Sequence, residues 1–180
     1  MLYHLLFALR DEASVLNVTR YITFRTAVAT LTALFLVLLL GPWMIERLRR
    51  LQIGQHIRDT GPEGHHVKAG TPTMGGVLIV GAITVTTLLW SDLTNPYVRT
   101  VLVVMLAFAA IGFVDDWIKV RYRRSLGLTA RQKVLLQVIV GLAAGFATRA
   151  LAAPAPHAGA LAVPFFKGIL VPLGMAYLPF

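Results

Sequence analysis

Apolar residues in this chain come in long blocks, and charged residues gather at the joints between them. The first block covers Ile22–Ile45, is densest from Ala27 to Leu40 and closes on Gly41-Pro42. The second covers Thr73–Trp90 and opens on Met74-Gly75-Gly76. The third covers Val98–Val114, and the fourth Val134–Ala153, with Arg149 near its end. Each approaches the ~20 residues a helix needs to cross the hydrocarbon of a bilayer. Trp43, Trp90, Tyr97 and Trp117 stand at block ends, where amphipathic rings settle at a membrane–water interface. A fifth block starts near Phe165, contains Pro172 and Pro179 and is still apolar at Phe180, which predicts a partial or irregular span over 165–180. Met1–Leu9 is apolar but too short to span, and reads as an interfacial helix or the flank of the first span. The pattern predicts an all-α, polytopic transmembrane helical bundle of four to five spans, one membrane domain over residues 1–180. The apolar run at Phe180 leads us to expect the N-terminal part of a larger protein.

Composition sharpens this picture. Of 180 residues, 57% are hydrophobic and 14% charged, where a soluble domain has about 45–50% and about 25%. Mean hydropathy is +0.71. The chain has no cysteine, which excludes disulfides and thiolate chemistry within it. A net charge of +9 could indicate a nucleic-acid partner, but its distribution follows membrane topology instead, and no nucleic acid is expected. Arg47, Arg49, Arg50, Arg58 and Lys68 lie between the first and second spans; Lys119, Arg121, Arg123, Arg124, Arg131 and Lys133 lie between the third and fourth. Between the second and third there is only Arg99. Basic loops stay on the cytoplasmic side, so the expected orientation has the N-terminus outside and the two basic joints inside. Arg10, Arg20 and Arg25 run against it, the first offset by Asp11 and Glu12. Ser91–Pro96 then reads as an external turn and Ala153–Pro164 as an external linker.

Candidate chemistry begins with Asp115-Asp116, two acids at the mouth of the third span, facing the basic joint. A carboxylate near hydrocarbon costs roughly 2.5–3.5 kcal/mol on insertion scales, so the pair calls for a function. Successive helical residues point about 100° apart, so one acid can hold Mg²⁺ while the other faces another group; Mg²⁺ accepts one or two carboxylates completed by water and phosphate. The competing reading is structural: Lys119 stands at i+4 from Asp115 and i+3 from Asp116. Both readings can hold together. The second candidate is Lys68-Ala-Gly-Thr-Pro-Thr-Met-Gly-Gly76. Gly75 and Gly76 allow close backbone approach to a phosphate, a helix N-terminus adds partial positive charge, and Lys68 adds a mobile cation. Thr71 and Thr73 serve either a phosphate or the helix as caps. The Gly-Lys-Ser/Thr ending of a P-loop is missing. Lys133 is either a further substrate cation or a topology marker. His56, His65 and His66 lack supporting ligands for zinc, and read as loop histidines in solvent or near an anion. Arg149 is expected to reach the outer interface, and Gln137 to face a neighbouring helix.

Lys68-Ala-Gly-Thr-Pro-Thr-Met-Gly-Gly76, Asn95-Pro-Tyr97, Ile111-Gly-Phe-Val-Asp-Asp-Trp-Ile-Lys119 and Val163-Pro-Phe-Phe-Lys167, in this order, resemble the bacterial phospho-N-acetylmuramoyl-pentapeptide transferase (MraY) family. The resemblance covers essentially the whole chain. It implies a Mg²⁺-dependent membrane enzyme of about ten spans in the bacterial inner membrane, with a cytoplasmic site. Such an enzyme moves phospho-MurNAc-pentapeptide from UDP-MurNAc-pentapeptide to undecaprenyl phosphate, giving lipid I and UMP in peptidoglycan synthesis. It implies Asp115 and Asp116 as the catalytic and metal-binding pair. It also implies substrate binding by the segment that holds Lys68 and Thr73, surrounding membrane lipid, and a homodimer as the usual assembly; Thr71, Gly75, Gly76, Lys119 and Lys133 join the expected substrate-binding set on the chemistry of the residues themselves. The family's later segments, with a third essential aspartate and a histidine-rich loop, do not occur in these residues, so the chain alone is expected to be inactive. Two alternatives stay open. One is a sister transferase using UDP-GlcNAc and a polyprenyl phosphate. The other is a cation-coupled transporter module, which would place its charges within the spans instead of at their ends.

Overall fold

The computed structural model describes residues 1–50, 74–122, 124, 126–152, 160–162, 170–172 and 174. Five α-helices carry the described residues: α1 (Leu2–Ala8), α2 (Ile22–Arg50), α3 (Gly76–Trp90), α4 (Pro96–Arg121) and α5 (Ala130–Ala152). Two 3-10 segments, Leu9–Asp11 and Ser14–Arg20, lead from α1 into α2. The predicted all-α membrane bundle is what forms. Helices α2, α4 and α5, of 29, 26 and 23 residues, are long and apolar enough to cross a membrane. At 1.5 Å per residue they reach about 43, 39 and 34 Å, against a hydrocarbon core of about 30 Å. Helix α3, at 15 residues, is apolar but shorter.

The helices outrun the apolar blocks at several ends. Instead of closing at Gly41-Pro42, α2 continues through Pro42 to Arg50. A proline inside a membrane helix is tolerated where neighbours or local adjustment satisfy the freed carbonyl. At its far end α4 runs to Arg121, so Asp115 and Asp116 stand within the helix and not at its terminus. Helix α5 starts at Ala130, which puts Lys133 in its first turn. The described start of α3 is Gly76; residues 51–73, including the expected start at Thr73, lie outside the described residues. Within the region read as a partial span over 165–180, Leu170–Pro172 is a strand. It pairs antiparallel with Ala160–Ala162 of the expected linker, in the register Ala160↔Pro172, Leu161↔Val171 and Ala162↔Leu170.

Local chemistry sets the helix ends. Asn95 caps α4 by accepting a hydrogen bond from the Tyr97 N–H at 2.9 Å, and Pro96 follows at the first helical position, where its missing N–H costs nothing. In the preceding turn Asp92 accepts from the Thr94 N–H and hydroxyl at 3.0 and 2.6 Å. Helix α5 opens with a reciprocal box: the Gln132 amide oxygen accepts from the Thr129 N–H at 2.9 Å, and the Thr129 hydroxyl accepts from the Gln132 N–H at 3.3 Å.

Packing follows the rules of lipid and not those of water. Only Leu48, Met74 and Ala82 are buried hydrophobics among the described residues, while Leu31, Phe35, Leu38, Val101, Val103, Leu135 and Ile139 are exposed. Against lipid tails such faces cost nothing, because the surroundings are as apolar as the side chains. Polar groups are satisfied locally. The hydroxyls of Thr26, Thr30, Thr84, Thr100 and Thr148 donate to carbonyls one turn back, at 2.7–2.9 Å. Consecutive helices pack in the order α2–α3–α4–α5. Leu78 of α3 lies 3.9 Å from where a Cβ on Gly41 would stand, and Trp90 Nε1 donates to Thr32 Oγ1 at 3.2 Å, so α2 and α3 run antiparallel. The short α1 docks at the α3–α4 turn: the Met1 ammonium donates to the Leu88 carbonyl at 2.7 Å, and His4 Nε2 lies 3.5 Å from Asp92 Oδ1.

Candidate functional site

Alternating helix directions bring the C-terminal end of α4 beside the N-terminal turn of α5, and the charged residues of both meet there. Asp115, inside α4, turns toward α5 and is 7% exposed. Its Oδ2 accepts two ammonium groups, Lys119 Nζ at 2.6 Å and Lys133 Nζ at 2.9 Å. Its Oδ1 accepts the backbone N–H of Leu128 at 2.7 Å. Asp116 points about 100° away and is more open. Among the described residues it makes one ion pair, Lys119 Nζ to Oδ1 at 2.9 Å. Lys119 therefore stands between two carboxylates and Asp115 between two ammoniums, an alternating row of two negative and two positive charges. The i+3 and i+4 pairing expected from spacing is present, and Lys133 joins from the next helix.

Beside this row lies a groove between α3 and α4 of about 760 Å³. Val77, Val80, Val85, Leu106 and Phe113 make its wall apolar, Gly76 and Met74 lie at the start of α3, and Asp115 and Asp116 line it as well. Among the described residues, a side chain added at Gly75 or Gly76 would meet nothing within 4 Å. Met74 just before it adopts a positive φ of 71°, uncommon for a side-chain-bearing residue.

The structure thus assembles Asp115, Asp116, Lys119 and Lys133, and puts Gly76 on the same groove. Lys68, Thr71 and Thr73, and the histidines at 56, 65 and 66, lie outside the described residues. Two contributors escaped sequence reasoning, Gly127 and Leu128. Their signal was a glycine just before the Thr129-x-x-Gln132 helix start.

A divalent cation can be tested against these oxygens. Both Asp115 oxygens already face donors, and no group of three metal-ligating side chains occurs among the described residues. Among the described residues Asp116 has one oxygen paired to Lys119 and no partner on the other. Mg²⁺ characteristically binds through one or two carboxylates completed by water and substrate phosphate, and Asp116 fits that donor set.

Fold and site together define a polytopic helical membrane protein with a carboxylate–lysine row where an apolar groove ends. Residues 68–80 match signature 1 of phospho-N-acetylmuramoyl-pentapeptide-transferases. The chain is 48% identical over 181 residues to the phospho-N-acetylmuramoyl-pentapeptide-transferase of Desulforapulum autotrophicum, covering 100% of this chain and 49% of that relative. It is 55% identical over 153 residues to that of Acidobacterium capsulatum, covering 85% of the chain and 41% of the relative. With that of Desulfatibacillum aliphaticivorans it shares 52% over 169 residues, covering 94% and 46%. The chain belongs to the phospho-N-acetylmuramoyl-pentapeptide transferase family, and it spans about half the length of the curated relatives it matches.

Proposed function

We propose that this chain supplies part of the site that transfers phospho-MurNAc-pentapeptide from UDP-MurNAc-pentapeptide to undecaprenyl phosphate. The carrying observation is the Asp116–Lys119–Asp115–Lys133 row at the end of an apolar groove. The reaction joins the phosphate at the end of a lipid tail to a sugar phosphate, so its site needs an apolar channel that ends in charge. A terminal lipid phosphate is already largely ionised near pH 7, its second pKa being about 6, so a strong general base is not required. An oxygen of that phosphate attacks the β-phosphorus of the donor. A new P–O–P linkage forms, the bond from the β-phosphorus to the bridging oxygen breaks, and UMP leaves with that oxygen.

Three phosphates must be neutralised and held in line. Lys119 and Lys133 are the cations of the row, and Asp115 keeps both aimed at one place. Asp116 is the residue we assign to Mg²⁺, which would supply charge neutralisation across the phosphates. Lys68, Thr71, Thr73, Gly75 and Gly76 are assigned to donor phosphate binding, and the signature match over 68–80 supports that assignment. The same reading puts the basic joints on the cytoplasmic side of the bacterial inner membrane, with a homodimer as the assembly.

Because the chain spans half of its relatives' length, residues 1–180 alone are expected to show no turnover with Mg²⁺ and both substrates; UMP release by them would refute this. For the full-length protein the test is UMP release and formation of the lipid-linked product. Turnover with UDP-GlcNAc in place of UDP-MurNAc-pentapeptide would sink the assigned substrate in favour of the sister chemistry. Covalent phosphate trapped on Asp115 or Asp116 would replace direct displacement with a two-step route.

A further inference from the structure

The loop between α4 and α5 touches Asp115 at a position where no side chain can stand. A Cβ built on Gly127 would lie 2.5 Å from the Asp115 carbonyl oxygen and 2.8 Å from its Cγ, and closer still to Oδ1. Real Cβ contacts do not come that near. Gly127 does not use the left-handed backbone region, so what excludes a side chain is space and not conformation. Gly75, Gly76, Gly81, Gly112 and Gly141 behave differently: among the described residues nothing lies within 4 Å of a Cβ added at any of them. Neither group facing Gly127 can yield. The carbonyl belongs to the α4 backbone, and the carboxylate is tied to Lys119, Lys133 and the Leu128 N–H.

We propose that Gly127 is a positioning residue for Asp115, letting the loop lie flat on α4 so that the Leu128 N–H grips the carboxylate and presents it to Lys119 and Lys133. The proposal rests on the reading of Asp115 as part of a transferase site. A methyl group at Gly127 must lift the loop, and the loop carries Leu128 with it. The hydrogen bond at 2.7 Å is then lost and the carboxylate is free to turn.

The experiment uses the full-length protein with Gly127→Ala, Asp115→Ala and the double variant. In Gly127→Ala, amide exchange at Leu128, read by mass spectrometry on the loop peptide, is expected to run about tenfold faster, as loss of one hydrogen bond implies. Turnover is expected to fall on the order of 10- to 100-fold, the scale of a displaced catalytic group, with KM for the nucleotide donor little changed. In the Asp115→Ala background, Gly127→Ala should lower residual turnover no further. Unchanged Leu128 exchange, unchanged turnover, or an equal loss in both backgrounds would each overturn the proposal. If Gly127→Ala does not fold, Asp115→Ala still decides: removing the acceptor must accelerate Leu128 exchange, and protection that persists sinks the link. Absence of turnover in the unmodified protein would instead count against the transferase reading, leaving the exchange result to judge Gly127.

Discussion

Asp115 and Asp116 are adjacent in the chain yet occupy different surroundings. The first is buried between two ammoniums and an amide, and the second is a third exposed, with a single lysine. Removing one member of a buried ionic group leaves its partners uncompensated and costs more than removing a matched pair. Asp115→Asn and Lys133→Met should therefore each lower the melting temperature in detergent. The double variant should lose less than their sum, with a coupling of about 1–3 kcal/mol. Strict additivity would show that the 2.9 Å contact contributes nothing. At this scale the acids and their i+3 and i+4 lysine were legible from spacing alone, because helical geometry sets that pairing locally. Spacing alone leaves Lys133 as either a site cation or a topology marker. Its partner is 18 residues away, and only the antiparallel turn of α4 into α5 brings the two together.

Among the elements, the one whose start matters most to the site is α5. The Thr129–Gln132 box sets its first turn, and that turn carries Lys133. Thr129→Ala removes the cap and is expected to cost about 1 kcal/mol, read as a lower unfolding midpoint. It should also loosen the Lys133 contact, so turnover should fall by more than Gln132→Glu lowers it, since Glu can still close the box. Equal activity in Thr129→Ala and the unmodified protein would separate the cap from the site. The first four apolar blocks marked which segments become helices but not where those helices stop, since polar residues that begin a loop in water can prolong a helix at the membrane edge. Continuation of α4 to Arg121 and of α2 to Arg50 are cases of this. The pairing of Ala160–Ala162 with Leu170–Pro172 was invisible to the pattern, because strands of three residues are too short to show alternation.

For the molecule as a whole, the up-and-down order of α2 to α5 sends the basic ends of α2 and α4 and the basic start of α5 to one side, and α1 with the Asp92 turn to the other. This chain has no cysteine, so single cysteines report topology cleanly. A cysteine replacing Arg50 or Arg124 should react with an impermeant maleimide only after the membrane is opened, and one replacing Thr94 should react in intact cells; the reverse pattern would invert the proposed orientation. Hydropathy and charge alone establish membrane residence, the approximate spans and the acidic pair, because each is a property of composition within a short window. The order of helix packing, the groove between α3 and α4, the capture of Asp115 by Lys133 and the closed space at Gly127 are products of the folded chain. Each is a contact between residues far apart in sequence or a volume that no residue owns, and such quantities exist only once the helices have packed.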